Sequence, residues 1–170
     1  DHAIYLDTKL FMANQRQGLV LGLYEAENGG NVTLTKAAQE FEASKASNLS
    51  NLIKLSGLAE KKGKVRVLYG LSEEYPSVAV VSLGKQGATY NPAEQIDEAK
   101  ENVRSAIGTA VKKLSEEGVT AVAVDPCGDA EAAGEAATLC VYSYDELKAA
   151  DKRKTPPQLL PYTAAAADPD

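Results

Sequence analysis

The sequence holds one histidine, His2, two cysteines, Cys127 and Cys140, and no tryptophan. A single imidazole in the N-terminal tail cannot supply a histidine-based triad or a multi-histidine zinc site. The two cysteines have neither the spacing of a metal site nor the number of a disulfide framework, so reduced thiols are expected. No apolar run approaches the ~20 residues needed to span a bilayer. Positive charge is also in deficit, Lys+Arg 18 against Asp+Glu 24 for a net charge of −6. That balance gives no electrostatic reason to bind nucleic acid or an anionic membrane. The start, Asp1, shows no secretory signal pattern. A cytoplasmic address is expected, with a mitochondrial one after removal of an upstream leader as the alternative.

What is present is a succession of short apolar runs and helical patterns, suited in 170 residues to one domain with tails. Residues 1–17 are polar without a clear period, yet carry Ile4, Tyr5, Leu6, Leu10, Phe11 and Met12, as expected of a tail or partner-binding arm. Gly18 to Tyr24 is nearly continuous in apolar residues, as in a strand covered on both faces. Across Asn28-Gly29-Gly30 it is predicted to form a hairpin with Val32 to Leu34. Helical patches follow from Lys36 to Ala46 and again after Ser47 or Asn48. In the second, Leu49, Leu52, Ile53 and Leu55 are assigned to one face and Gly57 to the stop. Val65 to Leu71 and Val78 to Leu83 are separated by a loop short enough to require antiparallel pairing. Asn91-Pro92-Ala93-Glu94 reads as a cap, a proline at the first helical position and a glutamate at the third, opening a long amphipathic helix. Gly108 inside that helix suggests close backbone packing.

The stretch from Thr120 to Lys148 reads as a buried strand, Ala121 to Val124, stopped by Asp125-Pro126, then a turn at Gly128 and a helix. Asp129 is the expected N-cap and Glu131 adds a second negative charge at the positive end of the helix, which would repel a phosphate. Ala133, Ala136, Ala137, Cys140, Val141 and Tyr144 share a face of small residues for packing on a sheet. Asp125 and Asp129 form the one carboxylate pair where α/β proteins place ligands. No further acidic ligand is at hand locally, so strand stop and helix cap are the favoured roles. Cys127 reads as a buried, inert thiol rather than a nucleophile. Gly84-Lys85-Gln86-Gly87 lacks both common phosphate-loop spacings, and the basic turn from Lys61 to Lys64 has no interleaved aromatic. No catalytic, cofactor-binding or metal-binding residue is assigned in this chain. Beyond Lys148, Pro156-Pro157 and Pro161 favour extended backbone.

Val124-Asp125-Pro126-Cys127-Gly128-Asp129 and the ending Tyr142 to Lys148 resemble the N-terminal domain of animal cytosolic leucyl aminopeptidases. Gly18 to Tyr24, Tyr69-Gly70-Leu71, Val78 to Lys85 and Lys100 to Arg104 fall in the order that family shows. The resemblance covers roughly residues 17 to 150. It implies an α/β, macro-like domain with a mixed central β-sheet flanked by helices at 18–150, after a tail or arm at 1–17. Residues 151–170 would be a linker toward a catalytic domain absent from this chain. It further implies a non-catalytic role in oligomer assembly and active-site access. The parent would be a hexamer with two divalent metals (zinc, manganese or magnesium) in its catalytic domain, which removes N-terminal residues such as leucine. Two alternatives stand beside it: a macro-type module binding ADP-ribose or a nucleotide, and a structural subunit derived from an aminopeptidase.

Overall fold

A computed structural model describes residues 17–25, 32–45, 47–58, 62–85, 90–93, 96–127, 132–139 and 157–162. Its organising strand is β1 (Gln17–Tyr24), with β2 (Thr33–Leu34) beside its last residues. Helices α1 (Lys36–Ser44) and α2 (Leu49–Ser56) follow, then β3 (Val65–Tyr69), β4 (Ser77–Ser82) and a small hairpin of β5 (Tyr90–Asn91) and β6 (Ile96–Asp97). The long helix α3 (Glu98–Glu116), strand β7 (Ala121–Val124), helix α4 (132–139) and strand β8 (Gln158–Pro161) complete the chain order.

The main sheet runs β3-β4-β1-β7-β8, with β2 paired to β1 off that path. β4 and β7 flank β1 in parallel, Leu19 lying level with Val78 on one side and Ala123 on the other. β3 joins β4 antiparallel, as its short loop demands, and β8 adds in parallel beyond β7. A strand flanked by parallel neighbours is covered on both faces, which explains the unbroken apolar run of β1. Alternation then sorts its side chains. Leu19, Leu21 and Leu23 meet Phe41 of α1 and Leu49 and Ile53 of α2, whereas Val20 faces Ile107 and Leu114 of α3 and the alanines of α4. The result is three layers, two helices on each face of the sheet among the described residues.

Local chemistry fixes the helix ends. Thr35 caps α1 by accepting from the Ala38 N–H, and Gly57 closes α2 in the left-handed region at φ 63. The start of α3 departs from the sequence expectation. Asn91-Pro92 forms part of the β5–β6 hairpin rather than a helix cap, because Pro92 also suits the first corner of a turn. The helix begins at Glu98, capped by the Asp97 side chain accepting from the Lys100 N–H, with Glu98 and Glu101 complementing its dipole. Leu55 does not share the buried face of Leu49 and Ile53; it is 86% exposed. Nor does Gly108 mark close packing, since a Cβ built there meets nothing within 4 Å.

Residues 158–161 are a strand of the sheet where the prolines alone suggest a linker. The backbone N–H groups of Gln158 and Tyr162 donate to the carbonyls of Thr120 and Val124. By the period of two, Pro161 therefore faces the open edge, where a missing N–H costs nothing and blunts further strand addition. Tyr162 is buried just beyond the strand, its ring edge-on to Tyr75 at 6.1 Å. No helix among the described residues is long and apolar enough to cross a membrane.

Candidate functional site

Ligands of α/β folds gather beyond the carboxyl ends of parallel strands, here the ends of β1, β4 and β7. Pairing between β1 and β7 stops at Val20 and Val124, and β2 takes up β1 again at Leu23 and Tyr24. Asp125 bridges the gap. Its backbone N–H donates to the Val20 carbonyl at 2.9 Å. Its buried carboxylate turns back to accept from the Gly22 N–H at 3.0 Å and from the Thr35 hydroxyl at 2.5 Å through Oδ2. Oδ1 accepts from the Cys127 N–H at 2.7 Å. Thr35 in turn donates its N–H to the Gly22 carbonyl at 3.3 Å. One side chain thus joins β1, the entry to α1 and the turn after β7.

This packing bears on two positions. A Cβ on Gly22 would lie 2.8 Å from the Cys127 Sγ and 2.9 Å from a Leu83 methyl, so that even a methyl group there would force its neighbours to shift. Cys127 adopts φ 52, the left-handed region, immediately after Pro126. Burial pushes its thiol well above the ordinary range, and the Asp125 charge and a hydrogen bond to it push the same way. Tyr24 is raised too, by burial first and then by Cys127 and Asp125. A neutral thiol is a poor nucleophile and a poor metal ligand. The carboxylate is occupied by three donors of its own chain. Asp125 thus does more than stop a strand: it holds three elements together through partners the sequence reading did not assign.

The other sequence candidates fall as follows. His2, Lys61, Gln86, Gly87, Asp129, Glu131, Cys140, Val141 and Tyr144 lie outside the described residues. Cys127 is buried and free. Ala133, Ala136 and Ala137 pack on the sheet as expected. Gly84 sits at φ +85 under the Lys62 side chain, whose Cδ lies 2.9 Å from where a Cβ would be. Among the described residues no three His, Cys, Asp or Glu side chains gather to hold a metal ion. A cavity of about 210 Å³ opens elsewhere, between the end of β7, α4 and β8. Val124, Pro126, Ala133, Ala137, Leu159 and Leu160 line it, and no charged residue does among those described.

The family model "Cytosol aminopeptidase family, N-terminal domain" matches residues 18–151. The chain belongs to the cytosol aminopeptidase family. It is 42% identical over 137 residues to the cytosol aminopeptidase of Sus scrofa, covering 80% of this chain and 26% of the relative. To that of Homo sapiens it is 41% identical over 140 residues, 82% of this chain and 27% of the relative. The chain therefore spans about a quarter of the length of these relatives. In structure it is similar to the macrodomain of Thermus aquaticus DarG, with TM-score 0.55, 13% identity, and coverage of 91% and 93% of the two chains. The macro domain of GDAP2 gives TM-score 0.54 at 13% identity, covering 87% of this chain and 70% of that one. At such identity the likeness shows the fold, which is macro-like. As a member of this metallopeptidase family, the chain corresponds to the N-terminal domain.

Proposed function

We propose that this polypeptide is the non-catalytic N-terminal domain of a leucyl aminopeptidase. The observation that carries the reading is the family match over residues 18–151, confined to about a quarter of each relative. In this reading peptide hydrolysis belongs to a following domain that holds two divalent metals, zinc, manganese or magnesium, and removes N-terminal leucine and similar residues. The present domain contributes to assembly of a hexamer and to access to its interior, in the cytoplasm or, after leader removal, in mitochondria. Nucleic acid and membranes are not its partners. The division into an arm at 1–17, a domain at 18–150 and a linker at 151–170 is retained with two amendments, that Gln17 opens β1 and that β8 belongs to the sheet. The carboxylate and thiol at the strand ends are consistent with this role, being consumed by internal contacts rather than presented to a substrate. Purified free of other peptidases, the 170-residue chain should release no leucine from a leucyl chromogenic substrate with added manganese. Turnover proportional to the amount of chain would refute the reading. A parent protein that is equally inert would favour the derived structural subunit instead.

The macro-like fold also suggests a module for ADP-ribose or a nucleotide. The Asp125 charge beneath the strand ends and the net charge of −6 disfavour a diphosphate there. Calorimetric titration with ADP-ribose should detect no binding tighter than ~100 μM, ~5.5 kcal/mol. Tighter binding would make the nucleotide-binding function the better reading.

A further inference from the structure

Strand β8 is weakly held by its own side chains. Pro157 just before it is buried, but within the strand only Leu159 is half-buried, against the α3–α4 side of the sheet, while Gln158, Leu160 and Pro161 are exposed. The strand lies at the edge and pairs with β7 alone. An element with so little apolar burial and one paired neighbour opens readily. The next residue compensates. Tyr162 is 7% exposed and, three residues on from Leu159, turns to the other face, into the cluster that holds Phe41 of α1 and Ala123 of β7. A second group of side chains closes over its ring. Tyr75, on the loop between β3 and β4, meets it edge-on, centroids 6.1 Å apart and planes at 70°. Lys45, at the C-terminal cap of α1, sets its ammonium 5.5 Å from the Tyr75 centroid and pairs with Glu74 beside it. Burial raises both phenols above the ordinary range, Tyr75 further through Tyr162, and Tyr162 further through the Glu40 and Asp125 charges, so both rings stay neutral at neutral pH.

We propose that Gln158 to Tyr162 form a strap latched to the domain by the Tyr162 ring, the catch being Tyr75 and Lys45 on elements remote from β8 in sequence. Released, the strap opens without unfolding the sheet it borders. Latched, its last bond, from the Tyr162 N–H to the Val124 carbonyl at 2.9 Å, holds the backbone beside Asp125 at the carboxyl end of β7. The family match stops at residue 151, so the strap lies outside the shared domain. On the reading proposed above, on which this last step rests, residue 162 lies on the way to the catalytic domain, and the latch stiffens that joint. Tyr162 is thus a positioning residue. The latching itself is a property of the present chain, so its test can fail while the chain still releases no leucine, and can succeed even if leucine is released.

Amide hydrogen exchange followed by NMR on the whole 170-residue chain tests this. The Gln158 and Tyr162 amides, which donate to Thr120 and Val124, report the strap, and the Leu83 amide, which donates to Leu23 of β1, reports the sheet. Tyr162→Ala should lower the protection of the strap amides by about 100-fold and leave that of Leu83 unchanged. Tyr162→Phe, which keeps the ring, should retain the protection. Tyr75→Ala, in a different loop, should lower it about fivefold through the lost ring contact, again without effect at Leu83. Equal loss at Leu83 in both alanine variants would mean that strap and sheet open as one and overturns the proposal. So does unmoved strap protection in Tyr162→Ala, which would leave backbone pairing and Pro157 as what holds β8, or a strap indifferent to Tyr75→Ala.

Discussion

Replacing Asp125 by alanine should cost far more than the loss of a surface carboxylate. The side chain accepts from the Gly22 and Cys127 N–H groups and the Thr35 hydroxyl, all within a buried region. Truncation leaves three donors without partners at ~1–3 kcal/mol each, offset in part because a buried charge no longer needs to be desolvated. A net loss of about 3–5 kcal/mol follows, a large share of the ~5–15 kcal/mol that holds a domain of this size together. Asp125→Asn should fall between, about 2 kcal/mol, since one oxygen can still accept while the amide confronts an N–H on the other side. Thr35→Val loses the same bond from its far end and the cap of α1, about 2 kcal/mol. Urea unfolding of the single variants and the double variant closes a cycle, and the coupling should be about 1–2 kcal/mol with unchanged m-values. If Asp125→Ala is as stable as wild type, burial of the charge outweighs its bonds and the bridge is not what joins β1, β2 and β7. Additivity of the two variants would equally remove Thr35 from the account.

Two glycines should respond in opposite senses. Gly22→Ala forces a methyl against Cys127 and Leu83 and should cost about 1–3 kcal/mol, while Gly108→Ala, with open space around it, should gain about 0.5–1 kcal/mol in chemical denaturation. Ser82 is wholly buried with no hydrogen-bond partner for its Oγ, so Ser82→Ala should be neutral or stabilising by up to about 1 kcal/mol; a loss above that would reveal a partner. Stability should also fall in alkali. The Cys127 thiol is raised in the folded state, so its contribution is complete below the unfolded thiol value of about 8.5 and declines above it, as the unfolded chain ionises first. By pH 9.5 the slope should be about 1.2 kcal/mol per pH unit from this group, and Cys127→Ala should flatten it; an unchanged slope would show that the thiol is not protected.

The fold was legible wherever the governing interaction is local. Unbroken apolar runs marked β1 and β7 as buried strands because burial on both faces leaves no polar alternation. A short loop forced β3 to pair antiparallel, and Gly57 closed α2 at the predicted position. The misread segments are those where one local pattern serves two structures. Asn-Pro-x-Glu can open a helix or turn a hairpin, and here the backbone turns, setting Tyr90 level with Asp97 and Asn91 level with Ile96. Leu55 looks apolar enough for the core, but 100° per residue carries it away from the face shared by Leu49 and Ile53.

Strand β8 shows why tertiary context overrides composition. Gln158-Leu159-Leu160-Pro161 has no alternation and ends in proline, so nothing within it specifies a sheet. Its pairing is decided by the open edge of β7 and by Tyr162, which packs beside Tyr75 from a loop far away in sequence. Asp125 is the same lesson at a single residue. Asp-Pro after a strand announces a stop, and that much is local. Its partners Gly22 and Thr35 lie 103 and 90 residues away, so only the folded sheet can show that the carboxylate replaces the ladder bond β7 no longer gives to β1. A charged residue at a strand end is therefore ambiguous between ligand and structure until its donors are counted. Here the donors belong to the chain itself, and a substrate would have to displace them.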